Sequence, residues 1–277
     1  MSAFSSREKF LAGGVLTALV CALPSAQATA QQSTSQPDFS SNQVGWVAMG
    51  DLIGVPGAPP LISNDPAHPY VPNNTGRQPT YRIADLSNPN LKPWVKERMK
   101  KDNEEVLAGK IGFTARSSCM PAGVPGFLTY PVRPVYIVQT PKQVLIIYSG
   151  DQQVRRVYMD APHSENPKPS WYGESVGHYE GDTLVVDTIG MNDKTFVDNY
   201  RTPHTEKLHV VERWKKIDDG KMLEVNIRVE DPDAFNEPWS ATKRYRRVQE
   251  PMVEEVCAEN NQHLFDYHIP VANKPDF

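Results

Sequence analysis

From residue 135 to residue 248 the chain repeatedly alternates apolar and polar residues with a period of two. The cleanest case is 221–230, where Leu223, Val225, Ile227 and Val229 alternate with Glu224, Asn226, Arg228 and Glu230. Side chains point to opposite faces at successive positions of a strand, so this pattern predicts a strand with one buried and one wet face. The runs 135–139, 143–149 and 153–159 are rich in β-branched and aromatic residues and are separated by Thr-Pro-Lys and Gly-Asp turns. Residues 175–180 and 183–189 flank Gly181-Asp182, a hairpin signal. Strands over 207–217, 221–230 and 239–248 follow, with turns at Asp218-Asp219-Gly220 and Asp231-Pro232. The expectation is a mainly β protein, an antiparallel meander of about eight strands. A sheet of this size must hide its edges, so it is predicted to close into a lipocalin-like (calycin-type) barrel or to form a curled sheet with residues 44–130 across its mouth.

The first part of the chain is different. Residues 1–30 combine Arg7 and Lys9, an apolar run from Leu11 to Leu23 and small residues around Ala26 to Ala30, which is the pattern of a signal peptide. The apolar run is too short for a spanning helix. Residues 31–45 are Gln/Ser-rich and read as a flexible leader, and 46–277 as a single β-rich domain. Within that domain, 46–118 is expected to be wrapping coil with one helix over 91–108, where Pro93 suits the first turn and Gly109 the end, and 119–277 to be the meander and a C-terminal tail.

Export predicts a periplasmic or secreted bacterial protein with no stable membrane insertion after cleavage. In that oxidising compartment Cys119 and Cys257 are candidates for one disulfide, the alternative being two separate thiols. Loss of residues 1–30 removes two basic residues and one acidic one, which takes the net charge from -4 to -5. A mildly acidic chain has no field to attract polyanions, so no nucleic-acid partner is expected. The oligomeric state is not specified by the sequence.

Candidate chemistry lies in polar groups at strand positions that would ordinarily be apolar. Asp187 shares a face with Thr183 and Val185, and Glu212 shares one with Leu208, Val210 and Trp214. A carboxylate among apolar residues either pairs with a cation or stays protonated. Arg155, Arg156, Arg213 and Arg244 are available partners, so a structural ion-pair network and a catalytic one are both open. Pro162-His163-Ser164-Glu165 and Pro203-His204-Thr205-Glu206 are near-copies, and histidine suits proton transfer near neutrality. Their alternative role is turn capping by Ser164 and Thr205. Neither HxH nor HExxH spacing is present to support a metal site, and nucleophile and phosphate-loop motifs are absent, so no cofactor is expected. Trp171, Tyr172, Tyr179 and Trp214, with Trp239 and Tyr245, are expected mostly in the core and could line a pocket for an apolar or aromatic ligand.

The stretches Val138-Gln139-Thr140-Pro141, Gln153 to Asp160, Trp171 to Thr188, Pro203-His204-Thr205-Glu206 and Glu212-Arg213 resemble a family of uncharacterised secreted bacterial proteins. Its core motif runs Trp-x-Gly-x-Ser-Val-Gly-x-Trp-Glu-Gly-Asp-Thr-Leu-Val-Val-Asp-Thr, and Tyr179 stands here where the family usually has Trp. The resemblance covers about residues 115–265 and carries no activity with it.

The residues themselves suggest a cofactor-independent enzyme acting by acid/base chemistry, of lyase or isomerase type, on a small hydrophobic, aromatic molecule. In that scheme His163 or His204 moves the proton, Asp187 or Glu212 assists, and Arg156 or Arg213 stabilises negative charge. The alternative is a lipocalin-like binding protein without turnover.

Overall fold

The computed structural model describes residues 36–40, 44–72, 75–77, 80–110, 112, 114, 119–129, 133–150, 153–254 and 256. Nine strands close into one barrel in sequence order: β1 (Gly45–Gly54), β2 (Val135–Gln139), β3 (Gln143–Tyr148), β4 (Gln153–Met159), β5 (Glu174–Glu180), β6 (Thr183–Ile189), β7 (His209–Ile217), β8 (Met222–Glu230) and β9 (Trp239–Val248). Among the described residues two helices accompany them, α1 (Pro93–Leu107) and the single turn α2 (Gly126–Thr129). No helix among the described residues is long and apolar enough to cross a membrane.

The barrel is closed as expected, with two differences from the predicted meander. The first is an added strand: β1, within the segment read as coil, pairs with both β2 and β9 and supplies the closure. The second is that β4 and β5 are parallel, Val157 facing Ser175 and Met159 facing Gly177, so residues 160–173 cross from one end of the barrel to the other. Gly177 sits where the two strands meet. A Cβ there would lie 2.7 Å from Val157 Cγ1 and 2.9 Å from the Val185 carbonyl, so no side chain fits without movement. Gly181 has nothing near it and serves the β5–β6 turn through its positive φ of 60°.

Alternation sets the interior. Val144, Ile146, Val157, Leu184, Val186, Val210, Trp214, Leu223, Val225 and Ile227 point inward and are buried. α2 lies at one end of the barrel, its Phe127 and Leu128 buried in the core and its Leu128 carbonyl accepting from the Tyr245 hydroxyl. At the other end residues 36–40, part of the expected flexible leader, are held in place. Gln139 receives the Phe39 N–H and donates to the Pro37 carbonyl, Lys216 donates to the Asp38 carbonyl, and Phe39 is buried in the core.

β1 is irregular at its end. Met49 faces Arg244 and Ile53 faces Thr242, so Gly50, Asp51 and Leu52 together oppose Lys243. This bulge turns β1 outward at the barrel rim, with Gly50 at a φ of 58°. The inward Lys243 is fully buried and donates from Nζ to the Gly50 carbonyl at 2.5 Å.

Candidate functional site

A cavity of about 330 Å³ opens at the rim beside the bulge. Its lining comes from six places in the chain: the β1 end, the coil 60–63, Arg82 with the coil 88–91, Thr129 at the end of α2, the loop 198–200, and Phe235 with Trp239. The apolar wall is formed by Leu52, Leu61, Ile62, Leu91, Phe235 and Trp239, the last two packed edge to face with centroids 6.0 Å apart. The lining also includes Arg82. Its Nη2 donates to Asp51 Oδ1 at 2.6 Å, its Nη1 donates to the Tyr200 hydroxyl at 3.3 Å, and its guanidinium lies 4.1 Å from the Tyr70 ring centroid. Burial alone would lower the Arg82 pKa, but the Asp51 carboxylate and the Tyr200 hydroxyl together outweigh it and raise it. Burial raises the Tyr200 phenol above its ordinary value against the opposing pull of Arg82. Asp198 is raised by burial too, although its carboxyl accepts from the Tyr200 and Thr202 N–H groups and the Thr202 hydroxyl.

Of the aromatic residues singled out from the sequence, Trp239 lines this cavity, and Trp171, Tyr172, Tyr179, Trp214 and Tyr245 do not. Trp214 is fully buried in the barrel and stacks on Tyr245, with centroids 6.4 Å apart. Tyr179 receives a hydrogen bond from Gln139 Nε2 at 2.6 Å beside the Phe39 segment. Tyr172 packs on Phe127 with centroids 5.9 Å apart, and Trp171 is half-buried in the crossover. Arg82 and Tyr200 are the residues that sequence reasoning missed as a site. Both lie in non-periodic segments.

The predicted catalytic residues separate into three groups. Glu212 points into the barrel and is fully buried, as its strand pattern predicts. Its partner is the equally buried Arg155, whose Nη2 donates to Glu212 Oε2 at 2.5 Å and to the Thr188 hydroxyl at 2.7 Å, with Nε donating to Ser175. Arg156 and Arg213 are on the outer wall instead. The Arg213 guanidinium pairs with Glu180 at the surface and helps to hold that carboxyl down to about 2.

Asp187 also faces outward, away from the Glu212 interior, because Leu184, Val186 and Thr188 take the inward positions of β6. It is nevertheless the hub of a cluster. Nε2 of His163, from the crossover, and Nε2 of His209, from β7, each lie 2.9 Å from Asp187 Oδ1. His163 Nδ1 lies 3.2 Å from Glu174 Oε1, and Glu174 also accepts from the Ser164 N–H and hydroxyl. These contacts pin the crossover to the barrel wall. Burial pushes the Asp187 pKa up, but the hydrogen bonds from His209 and His163 prevail and lower it. The same hydrogen bond raises His209, against burial. The Ser164 hydroxyl and N–H lower Glu174.

His204, the twin of His163 in the sequence, is buried elsewhere. Its Nδ1 donates to the Thr205 carbonyl at 3.0 Å, Nε2 accepts from the Thr195 hydroxyl at 2.8 Å, and burial lowers its pKa. Both ring nitrogens are thus used in holding the 195–205 loop. Thr205 binds the Asp231 carboxylate through its N–H and hydroxyl. No group of three or more His, Cys, Asp or Glu among the described residues is placed to hold a metal ion. Cys119 is disulfide-bonded, and Cys257 lies outside the described residues.

The His163–Asp187–His209 clasp has a defined pH window. His209, with its raised pKa, stabilises the fold fully below its unfolded value of about 6.5 and loses that contribution as pH rises through the raised folded value. Asp187 and Glu174, with lowered values, contribute above about pH 4 and lose it as pH falls. The clasp is therefore strongest between about pH 4.5 and 6.5, with a contribution of about 1 kcal/mol or less because the groups are partly exposed. The melting temperature is expected to fall slightly from pH 6 to pH 8 in the native chain and to lose that component in Asp187→Asn. Identical pH profiles would exclude the clasp.

The chain matches no protein-family model, no curated protein and no solved structure.

Proposed function

We propose that the protein binds a small hydrophobic molecule with an aromatic ring in the cavity at the barrel rim, in the periplasm or outside the cell. The observation that carries this reading is the recess itself: about 330 Å³, lined by apolar and aromatic side chains together with the polar cluster Arg82, Asp51 and Tyr200. That is the size and lining of a small-ligand site, in which an apolar wall supplies affinity and a few polar groups supply orientation. The mildly acidic chain gives no support for nucleic acid. Export is supported by the signal pattern of residues 1–30 and by the disulfide-bonded state of Cys119, for which Cys257 is the proposed partner.

The test fills the cavity from its exposed edge. Ser63 lines the recess and is exposed, so Ser63→Trp should close it without disturbing the core. Titration of a panel of bicyclic aromatic compounds is expected to quench the intrinsic fluorescence of the native chain and to have no such effect on the variant at unchanged melting temperature. Absence of binding by any of the panel to the native chain would end this reading.

Acid/base turnover of lyase or isomerase type, without a cofactor, is the second reading. The contact that favours it is the convergence of two histidine Nε2 atoms on one partly exposed carboxylate oxygen of Asp187. It expects Asp187→Asn to abolish turnover of a substrate held at the His163–Asp187–His209 cluster, which does not line the rim cavity, while ligand binding in that cavity persists. Unchanged turnover would remove it.

A further inference from the structure

Resting on the cavity reading above, we propose that the ligand presents an uncharged oxygen acceptor, such as an aryl ketone or aldehyde, to the Tyr200 hydroxyl. The Tyr200 oxygen accepts from Arg82 Nη1, and its own proton has no acceptor among the described residues. Arg82 is held against movement on several sides, with the Tyr70 ring 4.1 Å and the Tyr200 ring 5.4 Å from its guanidinium carbon and Asp51 at 2.6 Å. A phenol fixed by a donor on its oxygen, and kept neutral by burial, is a directed hydrogen-bond donor at the cavity wall.

The other amide and hydroxyl donors of the lining are engaged, while the Asn199 Oδ1 acceptor has no partner among the described residues. Asn88 donates to the Pro60 and Leu61 carbonyls, Asn90 donates to and accepts from the Glu237 backbone, the Thr129 hydroxyl donates to the Gly126 carbonyl, and Asn199 donates to the Thr129 carbonyl. Apart from Ser63 at the rim, this leaves Tyr200, backed by Arg82, to meet a ligand oxygen. Charge decides between a neutral and an anionic acceptor. The one cation of the lining is matched by Asp51, and the remaining ionisable acid, Asp198, adds no positive charge. A carboxylate would have to displace Asp51 or lie against it, whereas a carbonyl accepts the Tyr200 proton and leaves that pair intact.

Three matched probes test this on the purified protein by fluorescence titration: 2-acetylnaphthalene, 2-ethylnaphthalene and 2-naphthoate. The ketone is expected to bind about tenfold more tightly than the ethyl compound, the range of one directed hydrogen bond, and the carboxylate no more tightly than the ethyl compound. Tyr200→Phe should bring the ketone to the affinity of the ethyl compound and leave the latter unchanged. Equal binding of ketone and ethyl compound, or tightest binding by the carboxylate, overturns the acceptor assignment while the cavity reading stands. Failure of all three to bind overturns both. Should Tyr200→Phe fail to fold, the ratio of ketone to ethyl compound on the native chain still decides.

Discussion

Glu212→Ala is expected to lower the unfolding free energy by about 3–5 kcal/mol, measured by denaturant unfolding, because it leaves Arg155 charged and buried without its carboxylate. The two side chains are 1% and 0% exposed, which removes the screening that makes surface pairs nearly neutral. Among the described residues Arg155 then keeps the Ser175 and Thr188 hydroxyls and the face of the Phe127 ring, 5.5 Å away, but no carboxylate. The double variant Arg155→Met with Glu212→Leu should be much less damaging than either single change. The pair is imperfectly satisfied: among the described residues, Arg155 Nη1 and Glu212 Oε1 have no hydrogen-bond partner. Replacing both removes two desolvated charges together, whereas removing one strands the other. A strictly additive cycle would show that the two groups do not act as a unit.

This pair also shows how far the sequence could be read. The alternation on β7 puts Glu212 with Leu208, Val210 and Trp214, and all four are buried. The alternation on β6 likewise separates Asp187 from Leu184 and Val186, but cannot say which face is interior, because Val185 on the outer face is buried as well, at 5% exposure. Period two therefore assigns residues to faces and leaves the direction of each face to the partner strands. The arginine partner was open for the same reason. Arg155 and Arg156 are adjacent and point to opposite sides, and only the inward one reaches Glu212.

What the sequence hides is non-periodic and long-range. β1 carries Gly50 and Asp51 inside a bulge, so its alternation breaks where it forms the site. The crossover 160–173 contains no helix, so the usual mark of a parallel pair is missing. The cavity draws on segments from Asp51 to Trp239, each short, and no local pattern links Arg82 to Tyr200 across 118 positions. The near-copy His163 and His204 motifs look equivalent in sequence. One reaches a strand carboxylate, while the other is walled in by its own loop.

Lys243→Met is expected to raise stability at neutral pH, and the gain should shrink as the pH rises from about 8 to 10. Lys243 occupies an inward position of β9 opposite the bulge, and burial, against the attraction of Asp51, lowers its pKa to about 8. An unfolded lysine titrates near 10.4. Between these values the unfolded chain holds a proton that the folded chain has released, so stability of the native chain rises with pH across that window. Below pH 8 both states are charged, and the folded one bears the desolvation cost, up to about 3 kcal/mol for a shift of this size. Methionine of similar length removes that cost but leaves the Gly50 carbonyl without its donor, which returns about 1–3 kcal/mol. The net gain at pH 7 is thus about 1–2 kcal/mol or less, and its decline toward pH 10 is the diagnostic part. A difference between the two chains that stays constant from pH 7 to pH 10 would rule out a depressed lysine at this position. The amine also fixes the bulge from which Asp51 reaches Arg82, so the same variant should weaken binding of 2-acetylnaphthalene even as the fold becomes more stable. Stability and affinity moving in opposite directions would mark Lys243 as a residue that the rim geometry retains at the expense of the core.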